Sequence, residues 1–575
     1  MYLKRCGQTR LTRKGIYWEL VESYRTERGP RQRIVSYLGN IGETGRLGVQ
    51  QAARGNIGSW QSRLFDEAGE PEWVEVDARR VHAERVQDFG GYWLGLVVAD
   101  KLGLISLLER LLPEGRADVP WSMMALTLVL MRLSEPSSEL RIAEHLYERS
   151  SLVDLLGIPT DKVNDDRLYR ALDSLLPHKV GLEVYLKERL GTLFDLEYDL
   201  LLYDMTSTYF EGHGAANEQA ALGYSRDHRP DCKQVCIALV VSREGMPLGY
   251  EVFAGNRADA TTVEDIVAKI ETQYGSAGRI WVMDRGMVSE KNLAYLRAGG
   301  RRYIVGTPRS QLKRFERELL MDDWQEVWEG LEVKQCPSPD GKESFILCRS
   351  AARAIKEKQI HERFETRIEK GLTKLVESCW KQKQKVGMIE RRVGRLLGSN
   401  SRAAGLFRVK VTERVDGGAE VVWEKLEEWR AWAELSEGCY LLRSNITDWR
   451  AKELWQAYIQ LTEAEAAFRI QKSDLRIRPI WHQKKERVQA HILVCFLAYV
   501  LLKMLGQMCQ KAGLGNDPRK VLDEIAQIKA VDVVMPTKQG AVIRKRCIAQ
   551  PTKAQAILLQ RLQLHLPQRM KIHEM

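Results

Sequence analysis

The stretch Tyr198–Phe210, YDLLLYDMTSTYF, decides how the chain is read. Leu200 to Tyr203 is an unbroken apolar and β-compatible run, which predicts a buried strand. Asp204 stands at its end, followed by the hydroxyls of Thr206, Ser207 and Thr208. A carboxylate in that place makes a turn or a site, and Asp is common at strand ends for turn reasons alone. The segments downstream weigh on the choice.

CKQVCIALVVS and PLGYEVFAG read as two strands of a hairpin around Arg-Glu-Gly-Met, and Asp259–Tyr274 as a helix. Ile280–Met283 is another short apolar strand, and Asp284 ends it. A helix over Ser289–Ala298, N-capped by Ser289, and a strand in RRYIVGTPR follow. This is the order of a ribonuclease-H-like mixed sheet, an α/β core in which the first and fourth strands are neighbours. Asp204 and Asp284 would then sit side by side. Two such carboxylates repel unless a cation neutralises them, and Mg²⁺ prefers hard oxygen ligands of this kind.

A third carboxylate comes from Tyr458–Lys472, YIQLTEAEAAFRIQK, which reads as one α-helix. Tyr458, Glu465 and Lys472 are spaced seven and seven, about two turns each, so they project along one side with Thr462 and Arg469. Leu461, Ala464, Phe468 and Leu475 form the bordering apolar stripe. Taken alone, the segment is an ordinary amphipathic helix with a solvated face. With Asp204 and Asp284, Glu465 completes an acidic set able to clamp two metal ions.

The chain has 575 residues, too many for one core, with 44% hydrophobic and 29% charged residues, as in a soluble globular protein. Its net charge of +11 favours a polyanionic partner. The reading divides the chain into a basic β-rich module (1–75), a helical DNA-binding domain (76–194), the first part of the catalytic core (195–310), a helical and β insertion (311–438), the second part of the core (439–510) and a basic C-terminal domain (511–575). Within the helical region, Arg167, Tyr169 and Arg170 open a helix that a helix-turn-helix would present to DNA. His482, Lys484, Lys485 and Arg487 could reach phosphates, whereas His491 lies on an apolar face and reads as core.

The ten cysteines show no repeated CxxC pair, which points to reduced thiols. Cys232 and Cys236 lie four apart near His228, but no second ligand pair follows, and they read as core or edge residues rather than a zinc site. Met1–Gly7 lacks a secretion-signal core, and the apolar runs Met123–Met131 and Ile492–Leu502 are shorter than a bilayer span. A cytoplasmic, nucleoid-associated protein without membrane contact is expected.

These residues resemble a known family. Tyr458, Glu465 and Lys472 match three of four positions of the Tyr-x2-Arg-x3-Glu-x6-Lys signature of DDE transposases from bacterial insertion sequences; Leu461 holds the Arg position. YDMTSTYFEG, GMPLGYEVFAGNRAD, VMDRGM and FRIQKSDLRIRPIWH look like the same family's blocks. The resemblance implies that Asp204, Asp284 and Glu465 are catalytic and hold two Mg²⁺ ions, with Mn²⁺ able to substitute and no organic cofactor. It implies that Tyr458 and Lys472 contact DNA, with Arg469 or Arg285 supplying what Leu461 lacks. The partners implied are double-stranded transposon ends and target DNA, bound by a homodimer on paired ends. Another ribonuclease-H-like nuclease, or an inactive transposase-derived DNA-binding regulator, are the alternatives.

Overall fold

The computed structural model describes residues 2–6, 17–26, 29–39, 73–112, 118–275 and 278–567. The remainder of the expected N-terminal module, including 40–72, lies outside the described residues. Three antiparallel strands, β1 (Tyr2–Cys6), β2 (Tyr17–Thr26) and β3 (Gly29–Gly39), form a sheet of their own. Strand β4 (His82–Asp88) leads into the helical region, where α1 (Gly90–Leu102), α2 (Trp121–Ser134), α3 (Asp165–Leu175) and α4 (Lys179–Phe194) are the main helices.

The protein is mixed α/β, and a nine-stranded mixed sheet organises it. Its strands are β5 (Leu200–Tyr209), β6 (Gln234–Val241), β7 (Pro247–Ala254), β8 (Ile280–Met283), β9 (Arg302–Gly306), β10 (Gln325–Trp328), β11 (Leu331–Pro337), β12 (Ser344–Ser350) and β15 (Cys439–Ser444). They lie in the order β10-β11-β12-β15-β9-β8-β5-β6-β7. β5 pairs antiparallel with β6 and parallel with β8, so the two strands that carry Asp204 and Asp284 are neighbours. Alternate residues of these strands enter two different cores. Leu200, Leu202, Ile280 and Val282 join one apolar cluster, while Leu201, Tyr203, Trp281 and Met283 join the other. Helices α5 (Val263–Tyr274) and α6 (Glu290–Ala298) cover the second face through Ile266, Ile270, Leu293 and Leu296. Because both faces are covered, β6 reads QVCIALVV and is buried throughout.

After β12 the chain leaves the sheet and returns in β15, the neighbouring strand. The excursion comprises α7 (Ala351–Lys381), further helices, the hairpin of β13 (Phe407–Glu413) and β14 (Ala419–Lys425), and a core of its own with Ile368, Leu372, Ile389 and Phe407. The separate body is thus shorter than the expected 311–438. Residues of β10 to β12 belong to the main sheet, because β12 pairs with β15 from Ser344↔Ser444 to Arg349↔Cys439.

Helices α8 (Ala451–Ile459), α9 (Thr462–Ser473), α10 (Lys485–Lys511) and α11 (Pro518–Ile525) follow. α10 is long and apolar enough to cross a membrane, contrary to the length read from Ile492–Leu502 alone, and 83% of its apolar window is buried inside the protein. It is a core helix packed against α2 and α3. The first apolar cluster runs from Phe89 to Leu566, so the helical region, the sheet and the C-terminal residues share one core. β16 (Lys529–Pro536) and β17 (Val542–Ile548) extend β4 into a three-stranded sheet. Gly90 is where α11 comes closest: a Cβ there would lie 1.8 Å from the Ile525 carbonyl oxygen.

Candidate active site at the junction of two strands and a broken helix

The parallel register of β5 and β8 ends at Tyr203↔Met283, which puts Asp204 and Asp284 next to each other in the following position. Asp204 does not close its strand as expected. β5 runs on to Tyr209 because β6 continues to pair with it, from Asp204↔Leu239 to Tyr209↔Gln234. The Met205 N–H donates to Asp204 Oδ1 at 2.8 Å and fixes that carboxylate. Asp284 is exposed just beyond the last residue of β8.

The expected helix Tyr458–Lys472 is two helices. Between α8 and α9 the bonds tighten to three-residue steps, with Leu461 N–H on the Tyr458 carbonyl at 3.0 Å and Ala464 N–H on that of Leu461, also 3.0 Å. Tyr458 therefore ends α8, while Glu465, Arg469 and Lys472 lie on α9. Leu461 is buried in the main core at 6% exposure. Leu461 thus points away from solvent.

Asp204, Asp284, Glu465, Arg469 and Lys472 line one cleft of about 330 Å³. Tyr458 and Arg285 line a larger adjoining pocket of about 610 Å³, and Asp284 borders both. The Tyr458 hydroxyl donates to Asp284 Oδ1 at 3.5 Å. That approach needs a glycine, since a Cβ on Gly306 would stand 2.6 Å from the hydroxyl oxygen. The seven residues that the family resemblance implies for the site are therefore all at this junction.

Three residues not singled out join them. Arg226 and Asp259 also line the cleft, and the Arg226 guanidinium is bonded to Asp259 Oδ2. The side chain of Asp227, the next residue, is 2% exposed and accepts from Lys472 Nζ at 2.8 Å and from Arg478. The signal for Asp259 was its place in the block GMPLGYEVFAGNRAD. Arg226 and Asp227 sit in a polar loop, where charge gives no sign of burial.

The cleft brings together four carboxylates and three cations. Burial pushes the Asp204 carboxyl up to about 6; the Met205 N–H and Arg226 oppose this, while Asp284 and Glu465 add repulsion. Burial, and then Asp284, also raise Glu465. Burial and the carboxylate of Asp284 raise the Tyr458 hydroxyl, keeping it a neutral donor. An acidic set that strains against its own ionisation suits a divalent cation, and its donors are hard oxygens.

A tighter cluster lies elsewhere. Glu139, His482 and His491 are buried with one potential ligand atom each, all within 4.8 Å of one another. Arg132 borders this cluster. Its guanidinium meets His491 Nδ1 at 3.4 Å, and His491 Nε2 faces the Ile477 carbonyl at 3.2 Å, so both ring nitrogens are engaged. Contrary to expectation, His482 is buried against Glu139 at 3.4 Å and does not reach toward phosphates. Tyr169 packs edge-on against that ring under the Arg487 guanidinium, and Arg167 is held by Asp118 and the Lys162 carbonyl. Among the described residues nine cysteines are free thiols; Cys236 is buried in the sheet and Cys232 touches Arg229.

A profile of the family described as "Transposase DDE domain" matches residues 195–501. No curated protein matches the sequence. Among solved structures, a cryo-EM structure of the piggyBac transposase synaptic complex with hairpin DNA is similar over 79% of this chain and 82% of its own, at 9% identity and a TM-score of 0.35.

Proposed function

Because the chain belongs to the DDE-domain transposases, enzymes of DNA transposition, we propose that it mobilises a bacterial insertion sequence by cutting and joining that element's ends. The observation that carries this reading is the register of β5 on β8, which sets Asp204 beside Asp284 in the cleft that Glu465 also lines. On this reading the sheet is a ribonuclease-H-like core, and the chain is of the Tyr-Arg-Glu-Lys subgroup with Leu461 at the Arg position.

Asp204, Asp284 and Glu465 would hold two Mg²⁺ ions, with Mn²⁺ as a substitute. When bound, such ions activate a water for attack on phosphate and stabilise the leaving 3′-oxygen. Tyr458, through its hydroxyl, orients Asp284 and keeps its own proton. Arg469 and Lys472 stand at the cleft wall and Arg285 at the adjoining pocket, where each can meet a DNA phosphate without reading sequence. The adjoining pocket also holds Arg309, Arg353 and Trp328, cationic and aromatic groups of the kind that grip nucleic acid. The inverted repeats at the transposon ends, a homodimer on paired ends and a place on the nucleoid in the cytoplasm complete the proposal.

The test is Mg²⁺-dependent cleavage of a duplex carrying the terminal repeats that flank the chain's own coding sequence. The unaltered chain is expected to cut at the repeat boundary, and Asp284→Asn to cut at least about a thousandfold more slowly. Unchanged cutting by that variant would remove Asp284, and with it this site, from the chemistry.

A further inference from the structure

The loop between β5 and β6 carries a dipeptide of opposite charges, Arg226 and Asp227, whose partners come from two different elements. Arg226 turns to Asp259, which follows β7. Its backbone N–H is tied to Ser207 Oγ at 3.2 Å, three positions after Asp204 on the same strand. Asp227 turns the other way and holds Lys472 of α9 and Arg478 beyond it. Lys472, Arg226 and Asp259 all line the acidic cleft.

The balance at Asp227 is unusual. One buried carboxylate faces two cations, both on Oδ1, while its buried Oδ2 has no hydrogen-bond partner among the described residues. The Lys472 side chain is 12% exposed and that of Arg478 33% exposed. Burial favours the neutral form of Lys472; the charge of Asp227 opposes this, and Arg478 and Arg226 add to it. Two non-glycine residues with left-handed backbone flank the arrangement, His228 at φ 57° and Arg476 at φ 46°. Strain of this kind persists where surrounding structure over-determines the geometry, and it gathers at functional sites.

We propose that Asp227 is a positioning residue for Lys472, and that Arg478 makes the hold reversible. Asp227 keeps the ammonium at the wall of the cleft before DNA arrives. When a phosphate enters, Lys472 transfers to it, and Arg478 remains as the counter-ion of Asp227. The second cation is what makes this transfer cheap, since removing the sole partner of a buried carboxylate is strongly unfavourable. The proposal rests on the transposase reading above and deepens it by assigning Asp227 and Arg478.

The test uses the full chain and the same repeat-bearing duplex, with single-turnover cleavage at saturating DNA and DNA affinity measured separately. Asp227→Asn is expected to slow cleavage by about tenfold or more, and to add less than about twofold in a Lys472→Ala background. Thermal melting shows whether Asp227→Asn folds. Should it not fold, Arg478→Gln decides: it keeps the Asp227–Lys472 pair and is expected to weaken DNA affinity about tenfold while sparing the saturated rate. Equal slowing by Asp227→Asn with and without Lys472, no slowing at all, or normal affinity in Arg478→Gln would overturn the assignment. If the unaltered chain itself fails to cut with Mg²⁺, the transposase reading falls and takes this one with it.

Discussion

Glu183 has no exposed surface and sits between two ammonium groups, Lys179 Nζ at 3.4 Å and Lys269 Nζ at 3.0 Å, with the Tyr250 N–H donating to it at 3.2 Å. Nothing in KVGLEVYLKERL distinguishes it from Glu188 on the same helix. Its burial comes from β7 and α5 arriving on that face. Glu183→Gln leaves two half-neutralised cations against Glu251 alone, and is expected to cost about 3–5 kcal/mol in urea unfolding. Leu461 makes the converse point. An Arg in its place would carry charge into the core, so Leu461→Arg is expected to lose about 3 kcal/mol or more without raising the cleavage rate. Melting and cleavage measured on the same preparation check both halves of that expectation.

At the scale of elements, apolar runs and alternation were legible for β5, β6, β8 and β9, and so was their neighbour order. The end of β5 was not. Thr206, Ser207 and Thr208 look like the polar residues of a turn, yet they are buried in the strand because β6 supplies a partner through Tyr209. The break between α8 and α9 was equally hidden, since 3.6-residue periodicity in Leu461, Ala464 and Phe468 is preserved across it. That break places Tyr458 under Gly306 and against Asp284. Gly306→Ala is therefore expected to displace the hydroxyl and slow saturated cleavage by about tenfold, with the melting temperature changed little. A large loss of stability with normal cutting would show that the close approach serves packing instead.

Across the whole molecule, the helical region, the nine-stranded sheet and the C-terminal strands are held to one core, and the buried Glu139–His482–His491–Arg132 group lies among them. Burial pushes the His491 imidazole down to about 3, with Arg132 and His482 acting in the same sense. Burial would raise Glu139, but His482, His491 and Arg132 prevail and take it down to about 2. Both folded values lie below the unfolded ones. Their contribution to stability is therefore present in full above about pH 6.5 and is lost as the pH falls, first through His491 and then, below about 4.5, through Glu139. Urea unfolding at pH 7, 6 and 5 is expected to show this decline, and His491→Gln, which keeps a neutral hydrogen-bonding side chain, is expected to flatten it. The sequence by itself determined that the strands leading to Asp204 and Asp284 are neighbours and that Glu465, Arg469 and Lys472 share a helix, because apolar periodicity and charge type are local properties that survive without coordinates. Tertiary structure alone decided that Asp227 lies buried under two cations, that Leu461 faces the core, and that β10 to β12 join the main sheet. Those outcomes depend on which surfaces arrive opposite a residue, and partners far away in the chain leave no mark on the residues beside it.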